Sequence, residues 1–457
     1  MLSDLADEAG VDPVRVTGLV AGQWVVERWR LALQGRQGRG ELGQHALGEA
    51  CADAAGMGRT YSSPRPSSRK LERVPIVGPV TVSGTHAEAF EPLRNLLAAN
   101  LADGTEAGAS LAVLHDGELV ADLWGGEAAP GRRWEEDSLV MVWSVTKTMA
   151  ALTTLVLADR GELDLDAPVA SYWKEFRRDD VLVRHVLSHT AGYAGWTEQL
   201  DVAGLLDLPR SERMLAEQEP WWEPGDGSGY TMIGYGHLLD GLVRAATGAS
   251  LADQFRTLVA EPLGADFHLG VPDSELDRCV DLIAPDMSGV DYSAIPPDSM
   301  YLRTVVNPLL DVQQGCNSPE FRRVSVAGIN GHGNARSIAR AQSVVSHGGE
   351  VGGVRLLSPG TVDRIFDVQS DGPDRVLFGL PMRWGIGYAL PQPVTAPAVP
   401  DGRVCWWTGW GGAIVVNDLD RRTTVAYAEN RMEGTHLVSS ARTDAYLRTA
   451  FDCLEEL

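Results

Sequence analysis

The chain has 457 residues, more than one ordinary domain holds, so either one large core with an inserted subdomain or two domains is expected. With 44% hydrophobic and 22% charged residues, and Gly and Pro plentiful but aperiodic, it falls outside the collagen-like and wholly disordered classes. A net charge of -23 repels phosphate backbones and anionic lipid, which argues against DNA, RNA or an acidic membrane as a partner.

Residues 1 to about 60 read as helical, from Leu5, Val11, Val14, Val16 and Leu19 and then Trp24 to Leu33 at helical spacing. The run LADEAGVDPVRVTGL has a helix-turn-helix flavour, but the acidity of the chain favours a helical extension packed on the main domain. Tyr61 to Arg69 is Pro/Ser/Arg-rich and reads as a linker, placing a boundary near residue 75 between an N-terminal extension and a main domain over 76–457. The start lacks a basic n-region and an apolar h-region, and no stretch reaches the roughly 18 apolar residues of a membrane span. A cytoplasmic protein is expected. Cys51, Cys279, Cys316, Cys405 and Cys453 are scattered without CxxC or zinc-like spacing, so free thiols are expected, with no metal site and no cofactor.

Ser110–Leu114 and Leu119–Trp124 flank an Asp-Gly turn and predict a β-hairpin. Helical patterns follow at Thr148–Asp159, Val181–Ser188, Ile233–Ala246, Leu251–Leu258 and Ala335–Val345, with Arg160-Gly161 and Thr247-Gly248 as glycine-marked ends. Val404–Thr408, Ala413–Val416 and Thr423–Tyr427 read as three more strands, and Leu437–Leu454 as a closing helix. The simplest assembly is an α/β fold of α+β type. An antiparallel sheet drawn from both ends of the domain is flanked by helices, with a helical subdomain at about 150–345 inserted.

Ser144-Val145-Thr146-Lys147 places a hydroxyl and an amine on the same helix face, three residues apart. A lysine that can lose its proton there can activate the serine, and a helix N-terminus favours developing negative charge. The spacing alone does not discriminate. The chain has only three lysines, Lys70, Lys147 and Lys174, and each stands three residues after a serine. Ser67 lies in the linker and Ser171 in a polar stretch, whereas Ser144 follows Leu139-Val140-Met141-Val142-Trp143 and precedes a helix whose Met149, Leu152, Leu155 and Val156 should be buried. Burial depresses a lysine pKa, so Ser144 is the candidate nucleophile and Lys147 its base.

The segments downstream, in order, carry a resemblance. After Ser144-Val145-Thr146-Lys147 come Arg160-Gly161-Glu162-Leu163-Asp164-Leu165-Asp166-Ala167-Pro168-Val169 and then Val183 to Gly192. Pro224-Gly225 leads into Tyr230-Thr231-Met232-Ile233-Gly234-Tyr235, and Asn334-Ala335-Arg336-Ser337 and Trp407-Thr408-Gly409 complete the set. Over about residues 85–455 this resembles the serine β-lactamase-like, penicillin-binding-protein-like family: class C β-lactamases, D-alanyl carboxypeptidases and family VIII esterases. The resemblance implies a β-lactamase/transpeptidase-like fold, Tyr230 as a second proton handler, and Trp407, Thr408 and Gly409 on a strand lining the site. It further implies the backbone N–H groups of Ser144 and Trp410 as an oxyanion hole.

Two positions depart from the family pattern. Met232 stands where lactamases and peptidases carry the asparagine of Tyr-x-Asn, and Trp407 where they carry Lys or His. Apolar residues there, with Trp143 beside the nucleophile, point to an ester or thioester with an apolar acyl part, handled by hydrolysis or acyl transfer through an acyl-enzyme. An amide or lactam hydrolase, and a catalytically silent binding homologue, stand as the alternatives. Trp143, Trp221, Trp222, Trp406, Trp407 and Trp410 fall beside the motifs and are consistent with either an aromatic-walled pocket or ordinary core. His189 and His332 read as structural, and the absence of GxSxG counts against an α/β-hydrolase.

Overall fold

In the computed structural model, which describes residues 81–457 except 289, 291–294 and 435, the Asp116-Gly117 pair closes the predicted hairpin. It joins β2 (Gly108–His115) to β3 (Glu118–Ala129). Both residues are left-handed, with φ of 47° and 85°, as a two-residue turn matching the strand twist requires. Preceding them are β1 (Val82–His86) and α1 (Glu91–Asp103). The extension and linker expected at 1–75 lie outside the described residues.

From the far end of the chain come β9 (Val404–Thr408), β10 (Ile414–Asp418) and β11 (Thr423–Glu429), followed by α7 (Ala441–Leu454). The strands assemble in the order β1-β3-β2-β11-β10-β9, every neighbouring pair antiparallel. The β2–β11 seam, running from His115 opposite Thr423 to Ala109 opposite Glu429, joins the two halves of the chain. β2 and β11 are buried almost throughout, because α6 (Ala335–Ser346) covers one face of the sheet while α1 and α7 pack together behind the other. These strands therefore lack the in-out burial alternation of a sheet with one solvated face.

Between the two halves lie β4 (Val140–Met141), α2 (Thr146–Asp159), α3 (Val183–Leu187), α4 (Tyr235–Thr247), β5 (His268–Leu269), α5 (Met300–Val305) and β6 (Gly331–Gly333). Nearer β9 are β7 (Ser370–Pro373) and β8 (Pro381–Trp384), which pair with each other. The stretch 150–345 is mostly helical but includes β5 and β6, which with β4 form a second antiparallel sheet in the order β4-β6-β5. The helix expected at Leu251–Leu258 is α-helical only to Phe255 and continues as a wider π turn over Arg256–Ala260. The closing helix starts at Ala441 rather than Leu437, because the Ser440 side chain accepts the Thr443 N–H and sets the N-cap there.

α2 is buried on every side from Thr146 to Leu157, with Met149, Leu152 and Leu155 fully inaccessible. Each such side chain contributes roughly 1.5–3 kcal/mol by leaving water. A helix buried all round belongs at the centre of a fold. α2 is tied to its neighbours by Gln342 of α6, whose Nε2 donates to Thr148 O (3.1 Å) and whose Oε1 accepts from Tyr388 (2.9 Å) and Asn417 (3.2 Å). α4 approaches the segment before β6 at Gly236, where a Cβ would come within 2.2 Å of Gly328 N and 2.3 Å of Ala327 C. No helix among the described residues is long and apolar enough to cross a membrane.

Backbone rather than a flexible side chain opposes that Cβ. Gly236→Ala is therefore expected to destabilise the fold by about 2 kcal/mol, read as a lower urea midpoint at unchanged slope. An unchanged midpoint would show that the Ala327–Gly328 segment yields freely.

Candidate active site

β4 delivers the chain to Ser144 through Val142 and Trp143. Trp143 is left-handed at φ 46° while 4% exposed, a conformation that costs about 1–3 kcal/mol and persists only where packing enforces it. This residue turns the strand into a short 3-10 turn, Trp143–Val145, which runs straight into α2. Ser144 consequently sits at the N-terminal mouth of a buried helix, half-buried, with Lys147 one turn further in.

Lys147 is 2% exposed, and its Nζ has three neighbours: Ser144 Oγ at 2.9 Å, Met232 O at 2.6 Å and Gly328 O at 2.8 Å. Burial alone holds its pKa well below the usual lysine value, and no carboxylate contributes to offset that burial. A neutral amine has two N–H bonds and one lone pair. If the two carbonyls take the N–H bonds, the lone pair faces the Ser144 hydroxyl.

Tyr230 comes from the loop ahead of α4. Its hydroxyl accepts from Trp407 Nε1 (3.1 Å) and shares a hydrogen bond with the Ser144 side chain, and its ring lies 4.8 Å from Lys147 Nζ. Burial raises the phenol's pKa, only partly opposed by the bonds from Ser144 and Trp407. Burial thus disfavours the charged form of both groups, raising the phenol's pKa and lowering the amine's. Such a divergence is what an acid–base pair requires.

Trp407 lies on β9 and is 4% exposed. Gly409, just past the end of the strand, abuts the approach to Ser144 so closely that a Cβ would lie 2.4 Å from Val142 O and 3.2 Å from Trp143 Cβ. Thr408 is turned the other way: its Oγ1 donates to Ala413 O (2.8 Å) and closes the hairpin. Trp410 is 37% exposed and meets Trp143 edge to face, with ring centroids 4.9 Å apart. Met232 contributes chiefly its carbonyl, and its thioether accepts from Thr304 of α5 at 3.3 Å. Trp406, by contrast, is core, donating its Nε1 to Leu390 O. Trp221 and Trp222 are partly exposed, with Trp221 under the Arg303 guanidinium at 3.6 Å.

Of the other serine–lysine pairs, Lys174 is exposed and bonds Ser171 O, and Lys70 lies outside the described residues. His332 is fully buried, held at about 3 by burial, and its Nδ1 lies 2.8 Å from Asn330 O. His189 is wedged between Tyr230 and Trp384 at 4.9 and 4.4 Å. Its Nδ1 accepts from Thr231 N (3.2 Å), and burial holds its pKa well below the usual histidine value. It packs the tyrosine in place.

Sequence reasoning missed Asp374. Fully buried, its Oδ1 accepts from the N–H groups of Tyr230, Val376 and Leu377 at 3.0–3.1 Å, and its Oδ2 accepts from Trp384 Nε1 at 3.3 Å. It fixes the backbone of the catalytic-tyrosine candidate. Nothing in the polar run Ser370 to Arg375 marks it, since its partner lies 144 residues away. Gly328, whose carbonyl holds Lys147, leaves no side-chain signal at all.

The model of the family described as Beta-lactamase matches residues 93–448. The chain is similar to "Esterase/beta-lactamase LipL" of Mycobacterium tuberculosis, 33% identical over 355 residues, 71% of this chain and 77% of the relative. Among solved structures it is similar to a family VIII carboxylesterase, with 34% identity, a TM-score of 0.74, and coverage of 82% of this chain and 100% of the other. It is also similar to a penicillin-binding protein homologue from Caulobacter crescentus, at 31% identity and TM-score 0.73, covering 82% of this chain and 100% of the other.

Asp374→Ala leaves three backbone N–H groups and an indole N–H without an acceptor. It is expected to cost about 3 kcal/mol in chemical denaturation and to lower turnover of an ester substrate, since Tyr230 loses its anchor. Full stability would refute the anchoring role.

Proposed function

This chain belongs to the Beta-lactamase family, and from that premise we propose that it is a serine hydrolase or acyltransferase that works through a Ser144 acyl-enzyme on an ester or thioester with an apolar acyl part. The observation that carries the reading is the Lys147 amine, buried without a counter-ion and 2.9 Å from Ser144 Oγ.

In acylation, Lys147 takes the Ser144 proton as Oγ bonds to the substrate carbonyl carbon. The carbonyl oxygen, now carrying charge, is received by the N–H groups of Ser144 and Trp410, at the helix mouth and in the turn after β9. As the tetrahedral centre collapses, Tyr230 gives its proton to the departing alcohol or thiol. The ammonium then returns its proton to the phenolate, so the site holds the acyl ester, a neutral Lys147 and a protonated Tyr230. In deacylation the pair takes a proton from the attacking water, alcohol or amine and delivers it to Ser144 Oγ as the acyl bond breaks. Protons balance over the cycle without a third titrating group.

The ester and apolar-acyl preference rests on Met232 and Trp407. The indole N–H of Trp407 is spent on Tyr230 and its ring is packed against Trp384. Neither residue brings a charge to meet a carboxylate of a lactam or peptide, while Trp143 and Trp410 add apolar surface beside the nucleophile. The names of LipL and the family VIII carboxylesterase support the ester reading. The penicillin-binding protein homologue keeps an amide substrate as the outcome to test against.

Short-chain p-nitrophenyl esters are expected to be turned over, and a chromogenic cephalosporin far more slowly. A fluorophosphonate probe should label the wild type and not Ser144→Ala; label on Ser144→Ala would remove Ser144 from the mechanism, and equal cephalosporin turnover would sink the ester preference. For pH, the sign follows from Lys147. Its conjugate acid cannot accept the serine proton, so kcat/KM falls as pH drops through its depressed pKa, giving an acid limb below the ordinary lysine range. Lys147→Arg, permanently charged, should be inactive at every pH; retained activity there would contradict the base role.

A further inference from the structure

The turn after β9, Gly409 to Ala413, is gripped from behind by a buried charged cluster that no step above uses. Arg442 of α7 is 3% exposed in its side chain, and Nη1 pairs with the fully buried Glu106 at 3.1 Å, while Nε lies 3.3 Å from Glu433. Its Nη2 donates to two carbonyls, Gly411 O at 2.9 Å and Arg431 O at 2.8 Å. Thr443, the next residue on α7, donates to Gly412 O at 2.8 Å, and the Glu429 carboxyl takes the Ala413 N–H. The turn can sit this close only because it has no side chains at its middle. Gly411 and Gly412 have φ of 108° and 134°, and a Cβ on Gly412 would lie 3.2 Å from Arg442 Nη2.

The consequence follows from peptide planarity. In a trans peptide the C=O and the N–H of the next residue point in opposite directions. Gly411 O, held by Arg442 Nη2 and by Glu433 N (3.0 Å), therefore directs the Gly412 N–H away from the cluster, and that N–H bonds Gly409 O at 3.2 Å. Gly409 O in turn shares its peptide plane with the Trp410 N–H, which must point the opposite way. Two planes thus transmit the grip of Arg442 to the direction of the Trp410 N–H. A buried ion pair is weak evidence for stability, because well-packed apolar residues of similar volume often do as well. Its location behind this turn calls for another role.

We infer that Arg442, seated on Glu106, is a positioning residue for this enzyme, holding the Trp410 N–H on the developing oxyanion through the Gly411–Gly412 and Gly409–Trp410 peptides. The inference rests on the Ser144 acyl-enzyme reading with Trp410 in the oxyanion hole. Arg442 touches no substrate, and a small rotation of one donor is enough to matter, since a displacement of about 1 Å can cost on the order of 100-fold in rate.

The test compares full-length wild type with the double variant Arg442→Met/Glu106→Gln, which removes both charges together, and with Thr443→Val, a near-isosteric change that frees Gly412 O. Each is assayed with a p-nitrophenyl ester. Each is also titrated with a trifluoromethyl ketone, which forms a tetrahedral oxyanion on the serine, and with the matching alcohol, which does not. The expected result is a kcat about 10- to 100-fold lower for the double variant, and about 10-fold lower for Thr443→Val, at nearly constant KM. Ketone affinity should weaken by the same factor in each while alcohol affinity stays put. A merely structural role would move melting temperature, or KM and both inhibitors together. Folded variants with unchanged kcat and ketone affinity would overturn the inference, and Thr443→Val alone decides if the double variant does not fold. Ester turnover surviving in Ser144→Ala would instead remove the functional reading itself, so the two failures are distinguishable.

Discussion

The structure depends on keeping one amine dry. Lys147 is buried at the start of a helix that is itself buried on all sides, and its Nζ is 2.9 Å from Ser144 Oγ. An ammonium there would lack both water and a carboxylate, and two backbone carbonyls are what the fold offers instead. The requirement shapes what surrounds it. Gly236 lets α4 approach the Gly328 segment closely, β6 pairs with β4 to bring that segment beneath Ser144, and Trp143 accepts a left-handed backbone so that Ser144 can start the helix.

Around that amine, two further layers hold Tyr230 and the turn after β9 by their backbones. Asp374 takes the Tyr230 N–H, and His189 packs its ring while accepting the next N–H along. On the opposite side, Gly409 lies against Val142 and Trp143, and the turn that follows it is held by Arg442 and Thr443 from α7. The side chains around Ser144 are mainly aromatic or apolar, and the polar groups that orient them sit behind them. A setting of this kind lowers the local dielectric, which strengthens every electrostatic interaction inside it.

Much of this was legible in the residues. The Asp-Gly hairpin, the three late strands, the glycine-capped α2 and the choice of Ser144 over Ser67 and Ser171 all follow from periodicity, turn chemistry and the apolar approach to the motif. Element ends were less so. The helix after Leu251 widens into a π turn at Arg256, and the last helix waits for the cap at Ser440. Both shifts reflect local hydrogen bonding that overrides apolar spacing. The two-stranded pairing of β7 with β8, which carries Asp374 to Tyr230, had no pattern to announce it.

By itself the sequence determined the family, the placing of Ser144 and Lys147 on one face of a buried helix, and the apolar residues at 232 and 407. Those features are written in side-chain identity and in spacing along one element. Only the tertiary structure decided what surrounds the lysine and the tyrosine, because their partners lie far along the chain: the Met232 and Gly328 carbonyls, 85 and 181 residues from Lys147, and the Asp374 carboxylate, 144 residues from Tyr230. A carbonyl or an N–H is the same on every residue. Which one faces a buried amine is settled by how helices and strands pack, and one-dimensional pattern carries no record of it.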